Sequence, residues 1–285
     1  MPAVSVIMPT YNNASELPLA TRSVLEQTLG DLELILVNDG STDDTGRVCE
    51  QICAADSRVV ALHNPANRGR ARARNRAIEH ARADLIAILD ADDVAMPDRL
   101  ARQAAFLAAH PAVGLLGCWS IRITQASRPV ELLSGPTTGA AIRRRLRQLR
   151  MPFLHSSAVF RRDVLARTGL YDPALIRSQD ADLFRRVIQQ TQAAALPAYL
   201  VLYRMEGELS DRSIRARYHW SARAGWEALK RRPDPLGFLH LGRLLLMSAL
   251  PTGWVKSFSG LYRARPAPEG ELLRDTQAWI DHLTA

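Results

Sequence analysis

The sequence predicts an α/β fold in which a mainly parallel β-sheet is flanked by helices and followed by a C-terminal helical extension. Strand-like apolar runs alternate with segments of helical periodicity along residues 4–89, an order typical of parallel sheets with helices on both faces. Beyond residue 206 the composition changes to a basic, tryptophan-rich sequence. We therefore expect one domain over residues 1–206 and an extension over residues 207–285.

Four apolar runs are the candidate strands of the first half of this domain, residues 1–100. Each contains few polar interruptions, as in strands that are buried on both faces. Apolar residues at helical spacing lie between the runs, so a helix is expected after each of the first three. The expected strands are residues 4–8, 32–37, 59–63 and 85–89, and the helices are residues 16–27, a segment ending near residue 55, and residues 70–83.

The second half, residues 101–206, is expected to continue the layered architecture. Gly169 follows one of its predicted helices directly, at a position where the backbone often turns left-handed and glycine is favoured. Strands are expected over residues 113–124, 156–160 and 199–204, and helices over residues 97–110, 137–150, 161–168 and 179–189.

The chain is basic, with a formal net charge of +8. Residues 212–265 carry eleven basic side chains against two acidic ones, so the extension supplies this excess. A basic protein suggests a polyanionic partner such as nucleic acid, an anionic membrane or a phosphorylated substrate. The sequence contains no helix-turn-helix, zinc-finger or RNA-recognition signature, so we expect no nucleic-acid partner.

The cysteine content and the N-terminus indicate the compartment. Three cysteines, an odd and small number, argue against a disulfide framework and suit a reducing environment. The first residues lack the basic and long apolar segments of a signal peptide. We therefore expect a cytoplasmic protein.

Three carboxylates follow the fourth predicted strand directly. Asp90, Asp92 and Asp93 would repel one another at a strand end unless a cation joins them. Mg²⁺ and Mn²⁺ prefer carboxylate and phosphate oxygens, so a divalent metal is the expected partner. Taken alone, the cluster is also compatible with a solvated acidic turn. The other predicted strands end in polar residues as well, and the carboxyl ends of parallel strands meet at one ligand-binding edge of the sheet.

Four segments, in this order along the chain, resemble the motifs of family 2 glycosyltransferases with the GT-A fold. They are VSVIMPTYN at residues 4–12, NDGSTD at residues 38–43, the segment from NRG to ARN at residues 67–75, and LDADD, which resembles a DXD motif, at residues 89–93. The resemblance extends over residues 3–205 and implies a Rossmann-like GT-A domain. It also implies a metal-dependent enzyme that moves a sugar from a nucleoside diphosphate, expected to be UDP, to an acceptor hydroxyl with inversion.

The resemblance assigns nucleotide contacts to residues of the first half. Thr10 and Tyr11 are expected beneath the base, on which a tyrosine ring can stack. Asp39 is expected to accept a hydrogen bond from the base, and the guanidinium of Arg74 to contact a phosphate or a base edge. Packing at the sheet edge is the alternative role for Tyr11, and turn formation is the alternative for Asp39.

The resemblance also assigns the carboxylate cluster. Asp90 is implied to contact the ribose and diphosphate, and Asp92, together with Asp90, to hold Mn²⁺ or Mg²⁺. The metal would offset the charge that builds on the departing nucleoside diphosphate. Asp93 is expected to point away or to cap the next helix. Glu206 stands where relatives often carry a histidine near the metal, which leaves the third ligand open.

The acceptor side is implied by the sequence around residue 180. Asp180 matches the family's catalytic base, which removes a proton from the acceptor hydroxyl. Asp182 is the competing base, and Asp180 alternatively caps the helix that begins here. Gln179 stands where the family has a glutamate. Together with Asp182 and His155, it is a candidate contact to the acceptor or the donor sugar, and a buried structural role is the alternative for His155.

The extension is expected to contain an amphipathic helix over residues 236–255. This helix either packs on the core or lies on the inner face of an anionic membrane. The second placement suggests a sugar or lipid-linked glycan acceptor, as in surface polysaccharide or glycolipid assembly.

Two other functions stay open at this stage. A catalytically silent relative that binds nucleotide sugars is suggested by the departures at Gln179 and Glu206. A nucleic-acid-binding protein is the more remote alternative, suggested only by the net charge.

Overall fold

The computed structural model describes residues 1–205, 219, 222–223, 225–227, 229–230, 235–249, 265–266 and 270–285 of the protein. The strands are β1 (Val4–Thr10), β2 (Leu32–Asn38), β3 (Val59–His63), β4 (Leu85–Ile88), β5 (Val94–Ala95), β6 (Val113–Ile123), β7 (Pro129–Leu133), β8 (Val159–Arg161), β9 (Gln192–Arg204) and β10 (Arg265–Pro266). The helices are α1 (Leu17–Leu25), α2 (Thr45–Ala55), α3 (Arg70–His80), α4 (Arg99–Ala109), α5 (Gly139–Arg147), α6 (Arg162–Thr168), α7 (Gln179–Val187), α8 (Pro235–Ala249) and α9 (Glu271–Thr284). A short 3₁₀-helix over His155–Ser157 precedes β8.

The strands form one mixed sheet in the order β3-β2-β1-β4-β8-β6-β7-β10, and β9 lies beside β6 and pairs with β5. From β3 to β4 all neighbouring strands are parallel, as the strand–helix alternation predicts. β8 is antiparallel to both β4 and β6, whereas β9 runs parallel to β6. The predicted α/β class is therefore confirmed, with a parallel first half joined to a mixed second half.

Two apolar layers cover the two faces of the sheet. Successive residues of β1 point to opposite faces, so Val6 and Met8 enter one layer and Ile7 enters the other. Helices α1, α2, α4 and α9 pack in the Met8 layer, and α3, α5, α6 and α7 pack in the Ile7 layer. Every residue of β2 is buried, which accounts for the predominance of apolar residues in this strand. The layers hold the carboxyl ends of the parallel strands, and the loops that follow them, in place.

Strand β9 begins earlier than the predicted segment at residues 199–204. Its first part is rich in alanine, which has a low strand propensity, and includes Pro197, which cannot donate a ladder hydrogen bond. Opposite Pro197, the pairing with β6 shifts register between Cys118 and Trp119. The start of β9 is therefore determined by its pairing with β6, which is distant in sequence, and local strand propensity does not predict it.

The C-terminal helix α9 packs against the first half of the chain. Ile280 and Leu283 are buried in the Met8 layer, and the indole N–H of Trp279 donates to the carbonyl of Ala95 at 2.9 Å. The guanidinium of Arg22 in α1 donates to the carbonyl of Leu283, also at 2.9 Å. The sequence pattern does not single out this helix. The predicted division of the chain at residue 206 is not tested by these contacts and stays a prediction.

Helix α8 occupies most of the predicted helix at residues 236–255, and residues 250–255 lie outside the described residues. Leu241 and Met247 are buried, yet Leu239 and Leu246 are exposed. The described part of this helix is therefore apolar on both sides, and the prediction of an amphipathic helix is wrong for it. Within the described ranges, no helix is long and apolar enough to cross a membrane.

Glu33 is a buried charge on β2 whose neighbours stabilise it. Its carboxylate accepts hydrogen bonds from the Ser5 hydroxyl at 2.6 Å and from the amide and the guanidinium of Arg82, each at 2.7 Å. Burial opposes ionisation, but these donors outweigh burial and lower the pKa of Glu33 below its ordinary value of 4.5. The ionised carboxylate of Glu33 therefore stabilises the fold at pH values above its ordinary pKa of 4.5. This stabilisation is lost as the pH falls through the lowered pKa of the folded state.

We predict that Glu33→Gln lowers the free energy of unfolding near neutral pH by about 1–3 kcal/mol, because the amide group presents hydrogens to donors that need an acceptor. The difference from the unsubstituted protein shrinks in acid, where Glu33 is protonated as well. Urea unfolding at neutral and acidic pH, followed by circular dichroism, measures both effects. Glu79→Gln, at an exposed position on α3, is the control. Equal effects of the two substitutions would contradict the role of Glu33.

Candidate active site

The loops after β1 and β2 are joined at the carboxyl edge of the sheet. The amide of Asn12 donates to the Ser41 hydroxyl at 3.0 Å, and the side-chain oxygen of Asn12 accepts from the amide of Thr42 at 2.9 Å. Asn12 has a left-handed φ of 52°, which asparagine adopts more readily than most residues. Asp43 accepts a hydrogen bond from the amide of Thr45 at 3.0 Å, at the start of α2, although the residue at the N-terminal cap of this helix is Asp44.

Asp39, the residue expected to bind the base, is buried and holds the loop that precedes α3. Its Oδ1 accepts from the side chain of Asn64 at 2.6 Å and the amide of Arg68 at 3.0 Å, and its Oδ2 accepts from the amide of Gly69 at 2.8 Å. Gly40 has a φ of 71° and lies so close to the backbone of this loop that no side chain fits. Because a carboxylate oxygen can accept two hydrogen bonds, Oδ2 of Asp39 retains capacity for a ligand.

Thr10 and Tyr11 stand next to each other but differ in exposure. Thr10 ends β1 and is buried, and its hydroxyl has no hydrogen-bond partner among the described residues. Tyr11 is 43% exposed. An unpartnered hydroxyl beside an exposed aromatic ring suits a ligand that has a flat face and polar edges.

Arg74 in α3 connects the two halves of the domain. Its Nη2 lies 2.7 Å from Oδ1 of Asp90 in an ion pair, and its Nη1 donates to the side-chain oxygen of Gln179 at 3.4 Å. The guanidinium also lies over the ring of Tyr171, 5.6 Å from its centroid, which is within cation–π range. Asn75 holds Tyr171 there through two hydrogen bonds between its side-chain amide and the Tyr171 backbone, at 2.8 and 2.9 Å. Helix α3 thus brings the acidic loop after β4 together with the start of α7.

The three carboxylates after β4 lie in different electrostatic environments. Burial opposes ionisation of Asp90, but Arg74 outweighs burial and holds the pKa of Asp90 well below its ordinary value. Burial and then the charge of Asp90 raise the pKa of Asp92 to about 6. Burial, followed by Asp92 and Asp90, raises the pKa of Asp93 well above its ordinary value. Within the described part of the chain no ion pair offsets the charge of Asp92, so a bound cation would favour its ionised form.

The side chain of Asp93 forms a hydrogen bond with the protein backbone. Its side chain is completely buried, and Oδ1 accepts a hydrogen bond from the amide of Arg204 at 3.0 Å. Asp93 does not cap the next helix, because the residue at the N-terminal cap of α4 is Asp98. This part of the expectation for Asp93 is therefore wrong.

Arg204, at the end of β9, is a site residue that the sequence patterns do not indicate. Its buried guanidinium donates to the carbonyl of Asp92 at 3.0 Å and to those of Thr124 and Gln125 at 3.0 and 2.6 Å. It therefore holds the backbone of Asp92 against the end of β6. The available signal was an arginine that closes an apolar strand, but its partners are distant in sequence and no local pattern identifies them.

Arg99, at the start of α4, supports the same loop from the interior. It is almost completely buried and donates to the carbonyl of Ile88, the last residue of β4, at 2.8 Å and to the side chain of Gln103 at 3.1 Å. Burial lowers the pKa of Arg99, and the charge of Asp93 acts in the opposite direction. The acidic loop thus has an arginine on each side, and neither arginine was predicted as part of the site.

The two acids at the start of α7 have different surroundings. Asp182 is buried, and its Oδ2 pairs with Nε of Arg186 at 2.9 Å. Arg186 also donates to the carbonyls of Thr168, the last residue of α6, and Gly169 at 2.8 and 2.9 Å, so this pair stabilises the end of α6. Asp180 is half-buried, and its Oδ1 accepts from the amide of Ala181 at 2.8 Å. Asp180 is thus the more accessible acid, and Gln179, which contacts Arg74, directly precedes it.

His155 is buried beside the same group of residues. Its Nε2 lies 2.7 Å from the hydroxyl of Tyr171, and its Nδ1 has no partner in the described ranges. Burial and then Arg74 lower the pKa of His155 to about 4, so the ring is neutral near pH 7. A neutral imidazole with one unpartnered nitrogen can exchange a hydrogen bond with a sugar hydroxyl.

The carboxylates of Asp90 and Asp92 suit a divalent metal as a two-residue ligand set. Over the residues that the structure describes, no three His, Cys, Asp or Glu side chains are grouped to hold a metal. Mg²⁺ is commonly held by one or two carboxylates together with substrate phosphates and water. The ion pair with Arg74 uses one carboxylate oxygen of Asp90, Oδ1. Glu206, the residue at the expected third position, lies outside the described residues.

Two solved structures resemble this chain closely in fold. S. aureus TarS in complex with UDP-GlcNAc matches with a TM-score of 0.65 at 18% identity, over 91% of this chain and 75% of the TarS chain. The mannosyltransferase PcManGT from Pyrobaculum calidifontis, in complex with GDP-Man and Mn²⁺, matches with a TM-score of 0.59 at 20% identity, over 99% and 86% of the two chains. At these identities the matches establish the fold alone, and they confirm the GT-A architecture that the sequence motifs imply.

Curated relatives match shorter stretches at higher identity. An uncharacterized glycosyltransferase of Methanocaldococcus jannaschii is 30% identical over 195 residues, which cover 66% of this chain and 65% of the relative. TuaG of Bacillus subtilis, whose name refers to teichuronic acid biosynthesis, is 39% identical over 106 residues, or 37% of this chain and 42% of TuaG. The chain thus spans less than two thirds of the length of either relative.

The family is established by a match to a sequence profile. The profile of Glycosyl transferase family 2 matches residues 5–169, which is more than half of the chain and includes the last three motifs and all but the first residue of the first. The same residues form the parallel strands and the loops that carry Asp39, Arg74, Asp90 and Asp92. The chain therefore belongs to glycosyl transferase family 2.

Proposed function

We propose that this protein is a glycosyltransferase that moves a sugar from a nucleoside-diphosphate donor, expected to be a UDP-sugar, to an acceptor hydroxyl with inversion. One observation carries the proposal. Arg74 contacts both Asp90, in the loop expected to face the donor, and Gln179, which directly precedes the expected base. Transfer between two bound substrates requires that the reacting groups are held in a fixed orientation. Arg74 can provide this, because it contacts both the expected donor side and the expected acceptor side of the site.

The donor side is supported by the strand-end residues. The exposed ring of Tyr11 and the unpartnered hydroxyl of Thr10 suit a nucleotide base, and Asp39 retains an acceptor position for its polar edge. TarS is described with UDP-GlcNAc and PcManGT with GDP-Man, so both fold relatives bind a sugar linked to a nucleoside diphosphate. We assign the same class of donor to this chain.

A divalent metal, Mn²⁺ or Mg²⁺, belongs to this proposal, with Asp92 as the main ligand and Asp90 as its partner. Support comes from the pKa of Asp92, which burial and then the charge of Asp90 raise, and from the Mn²⁺ in the PcManGT complex. When bound, the metal supplies positive charge that offsets the charge developing on the departing diphosphate. Arg204 holds the backbone of Asp92 and so orients its carboxylate.

Asp180 is the proposed base. As the acceptor oxygen attacks the anomeric carbon, its proton passes to the Asp180 carboxylate while the bond from that carbon to the diphosphate oxygen breaks. Attack from the side opposite the leaving group inverts the configuration. Asp182 is unsuited to this role, because its carboxylate is buried and paired with Arg186. The neutral ring of His155 and the amide of Gln179 are proposed to orient sugar hydroxyls without moving a proton.

The acceptor is proposed to be a sugar or a lipid-linked glycan in surface polysaccharide or glycolipid assembly. The match to TuaG, with its name referring to teichuronic acid biosynthesis, supports this class. A cytoplasmic location with peripheral contact to the inner face of the membrane is part of the same proposal, because a lipid-linked acceptor is presented at a membrane surface.

We predict that Asp180→Asn lowers the rate of sugar transfer by about 10²–10⁴-fold, because the amide cannot take the acceptor proton. Donor binding should be unchanged, because Asp180 acts on the acceptor. Transfer is measured with the best donor and an acceptor panel, and binding by thermal shift. Asp163→Asn, an exposed position on α6, is the matched control. Full transfer activity of Asp180→Asn would remove this residue as the base.

We predict that a UDP-sugar with Mn²⁺ raises the melting temperature of the protein. At about 100 times Kd, a ligand adds about 2.7 kcal/mol of stability, which corresponds to roughly 5–10 °C for a protein of this size. Asp92→Asn should lose most of the increase that depends on Mn²⁺, whereas the surface variant Asp98→Asn should keep it. If no nucleotide sugar stabilises the protein with or without metal, the proposed function fails. If donors bind but no acceptor reacts, the catalytically silent alternative is favoured.

A further inference from the structure

The outer side of helix α8 is apolar and faces solvent. Phe238, Leu239, Leu245 and Leu246 all lie on this side, and Leu239 and Leu246 are 70% and 59% exposed. Arg243 is the charged residue at its edge. A contiguous exposed group of large apolar side chains is rare on a protein surface that contacts only water, and such groups mark interaction sites.

The opposite side of α8 is already covered by the protein. Leu241 is buried in a small cluster with Leu149, Ala222 and Leu229, and Leu244 packs against the same cluster. Leu149 follows α5, so this cluster joins the helix to the second half of the domain. Because one side of α8 packs on the protein, only its outer side is available to a partner. Apolar residues on two opposite sides of a helix are typical of a helix that has an apolar environment on both of these sides.

Trp226 extends the exposed face beyond the helix. It is half-exposed, and its ring meets the ring of Phe238 edge-on, with centroids 6.5 Å apart. Tryptophan combines a large apolar surface with a polar N–H and is enriched where apolar and aqueous phases meet. We define the outer face as Trp226, Phe238, Leu239, Leu245 and Leu246.

The charges around the outer face select the kind of partner. Arg223 and Arg243 are exposed, and the ammonium of Lys230 lies 2.8 Å from the carboxylate of Glu227. The sequence around them, residues 212–265, has eleven basic side chains and two acidic ones. A second copy of the chain, docked through the same face about a two-fold axis, would bring the positive charge of Arg243 in one copy towards that of the other. An anionic surface would instead be attracted to them.

We propose that the outer face of α8 docks on the surface of an anionic phospholipid bilayer, with the helix lying parallel to the membrane and the adjacent arginines among the headgroups. The apolar side chains enter the boundary between headgroups and acyl chains, which gives them the apolar environment that water does not. This assigns a specific surface to the peripheral contact proposed above. Membrane docking by the outer face does not depend on the residues of the transfer reaction. Failure of the docking proposal and failure of the proposed glycosyltransferase activity can therefore be distinguished.

The experiment uses the full-length protein and co-sedimentation with vesicles. The expected result is binding to vesicles of phosphatidylglycerol mixed with phosphatidylcholine, and weak binding to phosphatidylcholine alone. Leu239→Glu/Leu246→Glu should weaken partitioning by at least about tenfold, because it removes two apolar contacts and adds like charges to an anionic surface. The charge-matched control Gln51→Glu/Gln190→Glu, at exposed positions on α2 and in the turn after α7, should bind almost as the unsubstituted protein does.

A second variant tests how much the positive charge of Arg243 contributes to vesicle binding. Arg243→Gln keeps the apolar face and should weaken binding to the anionic vesicles by about fivefold, with a smaller dependence on salt. Circular dichroism checks that each variant is folded, and light scattering gives its oligomeric state. The proposal is overturned if the protein does not bind anionic vesicles or if the leucine variant binds as tightly as the control. A dimer that the leucine variant dissociates would assign the face to a second copy instead.

Discussion

The ion pair between Arg74 and Asp90 is the interaction on which the arrangement of the candidate site depends. Asp90 follows β4 in the parallel half of the sheet, whereas Gln179 begins α7 in the mixed half, and Arg74 contacts both. Asn75, the next residue of α3, holds Tyr171 beneath the guanidinium, and Tyr171 in turn contacts His155. One turn of one helix therefore sets the distance between the residues assigned to the donor and those assigned to the acceptor.

The acidic loop is held in place by groups that do not face a ligand. Asp93 points into the protein and binds the backbone of Arg204, and Arg204 binds the carbonyl of Asp92. Burial and mutual repulsion raise the pKa of both Asp92 and Asp93. A cation bound beside Asp92 would favour the ionised form of this carboxylate, which burial and the charge of Asp90 disfavour. The cost of placing these acids together is thus consistent with a site that is completed by a metal and a diphosphate.

The parallel half of the fold and the donor residues were accessible from the sequence because their signals are local. Apolar runs such as β2 are buried on both faces. Asp39 follows β2 directly, and Asp90 follows β4 after one residue, Leu89. The rest depends on contacts between distant segments. The early start of β9 follows from its pairing with β6, and the roles of Arg99 and Arg204 follow from carbonyls that no local pattern connects to them. The distinction between Asp180 and Asp182 required the position of Arg186 relative to the helix start.

The most direct test of this account is a double-mutant cycle on the Arg74–Asp90 pair, built from Arg74→Met, Asp90→Asn and the double variant. The free energy of unfolding is measured for each by urea titration in the absence of nucleotide and metal. A coupling energy of about 1–3 kcal/mol is predicted, because each single substitution leaves a charge without its partner and the double substitution removes both charges. Additive effects, with a coupling within about 0.5 kcal/mol of zero, would contradict the claim that this pair holds the two halves of the site together.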